Sequence, residues 1–410
     1  MKGPRRLEPD FPRRRLDRRA VSLVRRLQEA GHEAYLVGGC VRDLLLDARP
    51  KDYDVATSAR PEQVRRLFRR SRVIGRRFKI VHVYQGREIY EVATFRSAPR
   101  EVEEADDVED VQVIRDDNAY GTAEEDAFRR DFTVNGLFLD PVGFEIVDWV
   151  GGLADVEKRR LRAIGDPAVR FREDPVRVLR LVKFLRRLGL EPTDADVTAA
   201  RETAALLAES ATARISEELF RLMLTGDMEG VFLDLEGLDV IDVVVPELAD
   251  WLARGGDRRE RLLGRLRALD GTLAEIRSHG EQDPGYGFLL AVLFGPLVEE
   301  ELDPAHRTVP AKEYAQVVAT VLGGFQARAR MPRTALSSAS RYLLGQLRMD
   351  PPPFAKRRRN RAKDAARMVE QDWFRGALEL LRCRLEADGR EPDLYDEWHE
   401  LGARAEDPRP

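Results

Sequence analysis

Val37 to Thr57 reads VGGCVRDLLLDARPKDYDVAT, and the spacing of its glycines and aspartates decides the fold. The segment EAYLVGG predicts a short strand that runs into a Gly-Gly turn, after which VRDLLLD opens a helix. KDYDVAT returns as a second strand. Side chains alternate faces along a strand, so Asp52 and Asp54 project side by side while Tyr53 and Val55 point to the core. Two neighbouring carboxylates repel each other unless a cation lies between them. Mg²⁺, a hard ion that takes oxygen ligands, suits that place. Taken alone, Asp-x-Asp is equally an ordinary solvated strand face. Gly38-Gly39, with twelve residues between Gly39 and Asp52, changes the balance. Glycines at a strand-to-helix turn let backbone N–H groups approach phosphate oxygens, and the following helix N-terminus favours anions. Arg42, in that helix, then adds a phosphate or ribose contact.

Working outward, residues 17–30 (DRRAVSLVRRLQEA) repeat apolar positions at helical spacing, and Pro61 opens the helix PEQVRRLFRR. KIVHVYQGREIYEVATFR predicts two strands joined at Gln85-Gly86, and GLFLDPVGFEIVDWV predicts a further hairpin. A long polar loop from Ser97 to Asp117 contains the acidic run EVEEADDVED, Glu101 to Asp110. From Asp174 onward nearly every segment has helical periodicity. The expectation is an α+β chain: a small mixed-sheet head on an all-helical remainder.

Composition narrows the class. The 410 residues are 43% hydrophobic and 35% charged, enough apolar material for more than one packed core and a well-solvated surface. The net charge of -4 hides local blocks. The N-terminal arm (Arg5, Arg6, Arg13, Arg14, Arg15, Arg18, Arg19) and the run KRRRNRAK, Lys356 to Lys363, are basic, which points to a polyanionic partner. Two cysteines, Cys40 and Cys383, supply neither a disulfide framework nor a zinc cluster. With no apolar leader at the N-terminus and no run long enough for a membrane span, the expected location is the cytoplasm. The five histidines are scattered, with no His-Asp doublet.

Further motifs follow in a definite order. LVGGCVRD, KDYDVAT, EVATFR, RRDFTVNG, FREDPVRVLRLVKF and ARISEELFRLM span Leu36 to about Met223. In that order they resemble the family of class II tRNA nucleotidyltransferases and bacterial poly(A) polymerases, within the DNA polymerase β-like superfamily. The resemblance implies a nucleotidyltransferase head at 1–152, a base-reading neck at 153–230, a helical body at 231–345 and a basic RNA-binding tail at 346–410. It also implies template-independent addition of nucleotides to RNA 3′ ends, with two Mg²⁺ on Asp52 and Asp54 and ATP as substrate. The expected partners are RNA 3′ ends and ATP, with neither DNA nor membrane.

The family needs a third carboxylate. Glu91, on a strand able to lie beside Asp52, and Asp131, in the more specific RRDFTVNG motif, both remain candidates. The triphosphate is expected on Gly38, Gly39 and Arg42; the resemblance implies that Arg130 contacts the nucleotide beside Asp131, with Asn135 holding that turn. EDxxRxxR matches Glu173, Asp174, Arg177 and Arg180. Asp174, Arg177 and Arg180 lie three apart on one helix, with Val176, Leu179 and Phe184 available to anchor it. A carboxylate accepting from an exocyclic amine beside a guanidinium donating to the ring mimics a Watson–Crick edge. Lys183 stands where the family often has a further arginine, and a phosphate contact survives that change better than bidentate recognition. VIGRRFKIVHV, Val73 to Val83, is similar to the polyadenylating branch of the family, which implies addition of AMP to RNA; CCA addition to tRNA is the alternative. Arg76 and Arg77 there, and Lys356, Arg357, Arg358, Arg359, Arg361 and Lys363 in the tail, are expected RNA contacts.

Overall fold

The computed structural model describes residues 3–75, 79–97, 119–210, 212–302, 309–351 and 361–406. Arg76, Arg77, Lys356 to Arg359 and the acidic run 101–110 lie outside the described residues. Contacts divide the chain into two units: residues 1–173 with 190–197, and residues 174–189 with 198–410.

In the first unit, Asp17 caps α1 (Arg18–Glu29), its carboxylate accepting from the backbone N–H of Arg19 and Ala20. Ala20, Leu23, Val24 and Leu27 fall on one stripe of α1 and are buried. That stripe packs on the sheet strands that carry the site. The strands are β1 (Arg5–Leu7), β2 (Ala34–Val37), β3 (Asp54–Thr57), β4 (Ser71–Ile74), β5 (Ile80–Gln85), β6 (Glu88–Thr94), β7 (Leu137–Asp140) and β8 (Glu145–Asp148). They form one sheet in the order β1-β8-β7-β2-β3-β6-β5-β4, in which only β3 and β6 run parallel. Helix α2 (Gly39–Leu45) follows β2, and α3 (Pro61–Leu67) follows β3 with Pro61 in its first turn. The face opposite α1 buries Val37, Ala56, Phe95, Phe138 and Val147 against Ala123 and Ala127 of α4 (Ala123–Arg129).

This unit runs past the expected boundary at 152. Phe132 bridges to Ala163, Thr133 Oγ1 donates to Asp155 of α5 (Gly152–Glu157), and Asp196 accepts from the Ala163 N–H. These buried polar contacts tie α5, strand β9 (Arg160–Leu161) and α6 (Pro167–Glu173) into the sheet domain. The second unit is helical. It contains α7 (Val176–Leu188), most of α8 (Asp194–Thr203), α9 (Thr212–Met223) and ten further helices from Met228 to Glu406 among the described residues. Its C-terminal helices close over Phe374, Leu378, Leu381 and Trp398, whose indole N–H donates to the Met349 carbonyl. Arg361 and Lys363 begin one of these helices, Arg361–Val369.

Candidate active site

Asp54 opens β3 opposite Val37, the last residue before the Gly-Gly turn. On the parallel neighbour, Val92 pairs with Val55, so Glu91 and Asp54 each stand one residue earlier, level and on the same face. His82 lies opposite Glu91, its Nε2 3.4 Å from Glu91 Oε1. Asp54 touches solvent, yet the protein around it desolvates its carboxyl and pushes it up to about 6. Glu91 repulsion reinforces the shift, Arg130 opposes it, and Asp52 adds to it. Asp52, Asp54 and Glu91 are therefore one electrostatic group with Arg130 at its border. Crowded hard-oxygen donors of this kind fit a divalent cation, which would relieve their repulsion. Among the described residues no three acidic, cysteine or histidine side chains stand close enough together to hold a metal ion between them. Mg²⁺ is ordinarily held by one or two carboxylates plus substrate phosphates, so this donor set suits it.

Asp131 is placed differently. It is buried, and its Oδ1 accepts from the Phe132 N–H at 2.8 Å and from Asn135 Nδ2 at 3.0 Å. Asn135 Oδ1 in turn accepts from Arg42 Nη1 at 2.5 Å, and Arg42 Nε and Nη2 donate to Asp43. Arg42, expected at a phosphate, is thus buried in a chain from Asp43 to Asp131. Its planar fork is occupied by side chains that fix the first turns of α2 against the RRDFTVNG segment. Of the two carboxylates expected as the third member, Glu91 is the one grouped with Asp54.

Gly38 has φ +70°, and a Cβ there would stand 2.9 Å from Arg130 Nη1. The backbone angle requires glycine, and an added Cβ would also displace the Arg130 guanidinium. Arg130 is held by Asp126 at 3.0 Å and by the Asn135 carbonyl at 3.4 Å, with its guanidinium 5.1 Å over the Phe138 ring. Its Nε is buried without a hydrogen-bond partner. The carbonyls of Arg129 and Arg130 both accept from Arg170 Nη2 at 2.8 Å. Sequence reading missed Arg170; it lies just ahead of FREDP, and nothing in its spacing marks it. Cys40 is buried beside this turn and its thiol is pushed up to about 12, chiefly by burial.

In the helical unit Asp174 precedes α7, and Arg214 Nη2 of α9 donates to its Oδ2 at 2.7 Å. Arg177 and Arg180 are half-buried, while Val176, Leu179 and Phe184 are buried as the helix pattern expects. Arg180 lies 5.8 Å from the Phe184 ring centre. Lys183 departs from expectation. It is buried and donates to Glu218 at 2.5 Å, burial holding its ammonium below the usual lysine range. A lysine closed in by a carboxylate of α9 is a tie between two helices, not a surface group reaching for phosphate. Arg214, which no motif argument singled out, is the new member of this cluster.

A family model described as the poly A polymerase head domain matches residues 34–162, and one described as a probable RNA and SrmB-binding site of polymerase A matches 193–252. The chain is 35% identical over 403 residues to poly(A) polymerase I of Salmonella typhimurium, covering 96% of this chain and 84% of that protein. It is also 35% identical over 405 residues to poly(A) polymerase I of Haemophilus influenzae, covering 95% and 86%. A CCA-adding enzyme of Lactobacillus helveticus is 39% identical, over 206 residues that make up 50% of this chain and 49% of that one. Among solved structures, the Bacillus stearothermophilus CCA-adding enzyme in complex with CTP matches with a TM-score of 0.64 at 24% identity, covering 94% of this chain and 81% of that one. That last likeness is one of fold.

Proposed function

The chain belongs to the family of bacterial poly(A) polymerases and tRNA nucleotidyltransferases, and from that premise we propose that it is a polynucleotide adenylyltransferase. It transfers AMP from ATP to RNA 3′ ends without a template and releases pyrophosphate. The observation that carries the chemistry is the level placement of Asp54 and Glu91 on parallel strands, with Asp52 near enough to raise the Asp54 carboxyl and Arg130 at their border.

Asp52 and Asp54, with Glu91 beside them, would hold two Mg²⁺, which when bound lower the pKa of the attacking 3′-hydroxyl and neutralise charge on the departing pyrophosphate. Gly38, whose own N–H is taken by the Leu137 carbonyl, turns the chain so that the Gly39 N–H at the start of α2 faces the triphosphate, and Arg130 supplies the cation there. Arg42, Asn135 and Asp131 act through that turn by fixing its backbone. In the helical unit Asp174 accepts from an exocyclic amine and Arg177 donates to the neighbouring ring nitrogen. That pattern admits adenine and cytosine and rejects guanine and uracil. Similarity to poly(A) polymerases over most of both chains, against half-length similarity to a CCA-adding enzyme, favours adenine tailing.

We retain the neck, body and tail divisions near 230 and 345 as proposals, together with Arg361, Lys363 and the preceding basic run as non-specific RNA contacts. Two buried, unpaired cysteines suit a reducing cytoplasm. The test offers a tRNA lacking its CCA end and an oligo(A) primer, each with Mg²⁺ and with ATP, CTP or both. Long ladders from ATP alone on both RNAs are expected. Addition that requires CTP and stops after CCA would replace this reading with tRNA repair.

A further inference from the structure

The basic N-terminal arm is built onto the head unit. Arg5, Arg6 and Leu7 pair with Asp148, Val147 and Ile146. Phe11 is buried with its ring edge-on to Phe144 at 6.0 Å, and Leu16 is buried. Tyr53 donates to the Arg15 carbonyl at 3.2 Å, and Tyr90 donates to Asp17 at 2.8 Å. A solvated tail has no such anchors.

These anchors put Arg14, Arg15 and Arg19 into the wall of a cavity of about 630 Å³, whose other walls include Arg49, Lys51 and Asp52. Five basic side chains line it against three acidic ones. Arg15 is met by Asp47 at 2.5 Å, and Arg19 Nη1 lies 3.4 Å from the Gln85 carbonyl. Arg14, Arg49 and Lys51 are exposed and form no ion pair with the described residues. Unpaired cations converging on a concave wall concentrate a polyanion there.

We infer that this cavity takes the phosphodiester backbone of the nucleotides behind the reacting RNA 3′ end. The inference rests on the adenylyltransferase reading. In-line displacement puts the attacking hydroxyl and the leaving pyrophosphate on opposite sides of the α-phosphorus. Gly38, Gly39 and Arg130, assigned to the triphosphate, do not line the cavity, whereas Asp52 does. The strand that carries the hydroxyl is the polyanion left to occupy it. Ile89, 53% exposed on the same wall, offers an apolar surface to a ribose or base.

The test is the combined variant Arg14→Gln/Arg49→Gln/Lys51→Gln in the full chain, its folding checked by thermal melting. Fluorescence anisotropy of labelled oligo(A) across a salt series is measured with the KM for ATP and inhibition by pyrophosphate. Each single-strand phosphate contact contributes about 0.7 to the slope of log affinity on log salt, so three lost contacts lower it by about 2. The expected result is that change, with RNA affinity about tenfold weaker at low salt and the KM for ATP unmoved. Unchanged RNA affinity and slope overturn the inference. If the KM for ATP or pyrophosphate inhibition shifts in that case, the cavity is a polyphosphate site. Binding is read without turnover, so a wild-type protein that incorporates no nucleotide would end the adenylyltransferase reading while the anisotropy still decides the cavity.

Discussion

Replacing Lys183 by alanine should destabilise the helical unit and leave the KM for ATP nearly unmoved. The Lys183 and Glu218 side chains are 9% and 8% exposed and 2.5 Å apart, so truncating the lysine strands a buried carboxylate. Removing one partner of a buried ion pair costs about 3–5 kcal/mol. Arg221 Nη1, 3.5 Å from Glu218 Oε1, keeps part of the compensation and places the expected loss near the lower figure, about 3 kcal/mol. For a unit of this size each kcal/mol moves Tm by about 2–4 °C, so the helical signal should melt about 6–12 °C lower.

Lys183→Met/Glu218→Leu removes both charges and fills the space, and should recover most of the loss. The assay is far-ultraviolet circular dichroism on wild type, both single variants and the double variant, with ATP titrations in parallel. Suppose instead that Lys183→Ala shifted Tm by less than about 2 °C and raised the KM for ATP tenfold. Lys183 would then be a phosphate ligand, and the helix tie read from its burial would be wrong.

Other outcomes follow from the head. Asp54→Asn should cut Mg²⁺-dependent incorporation by about three orders of magnitude while oligo(A) anisotropy stays near wild type; retained turnover would remove it from the metal site. Glu91→Gln should lower kcat with little change in Tm, whereas Asp131→Ala, which removes the buried acceptor of Asn135 and Phe132, should lower Tm as well. The opposite pattern would restore Asp131 as the third reacting carboxylate. Gly38→Ala must bring a Cβ to within 2.9 Å of Arg130 at φ +70°, so it should raise the KM for ATP and destabilise the head; a wild-type KM would mean Arg130 does not serve the triphosphate. Burial pushes the Asp270 carboxyl up to about 6, with Asp227 and Glu229 adding repulsion. A raised carboxyl binds its proton more tightly when folded, so its stabilisation is present below pH about 4 and lost as pH rises through about 6. The Tm of Asp270→Asn minus that of wild type should therefore grow across that window, and a flat difference would refute it.

Much of this was legible because periodicity reports faces. The strand from Asp54 with Val55 buried, and the stripe Val176, Leu179 and Phe184 that anchors α7, follow the pattern expected, whereas Asp52 stands ahead of the strand and lines a cavity beside Tyr53. The boundary at 152 was not legible, because the segment to Glu173 joins the head through polar bonds such as Thr133 to Asp155 as well as through buried Leu153, Leu161, Ile164 and Phe171. No hydrophobic pattern announces such bonds. Arg42 and Lys183 were misplaced for one shared reason. Charge identifies a residue able to meet a phosphate, but burial decides whether it does, and the partners that close over these two are far away in sequence.

Those two displaced cations also say something about selection without a template. Base identity must be read by side chains alone, and a flexible carboxylate or guanidinium would accept several hydrogen-bond patterns. Among the proposed reading and gripping groups, Asp174 and Arg130 have fixed neighbours. Arg214 holds one oxygen of Asp174, Lys183 and Glu218 tie α7 to α9, Asp126 and the Asn135 carbonyl hold Arg130, and Arg170 clamps the carbonyls of residues 129 and 130. Donors and acceptors set in advance lose little on binding and penalise a base with the wrong pattern by leaving a polar group unpaired. The charges buried away from substrate thus act on specificity through rigidity. Loosening Arg214 by Arg214→Met should accordingly broaden nucleotide choice, raising GTP and UTP misincorporation relative to ATP, more than it lowers the rate with ATP itself.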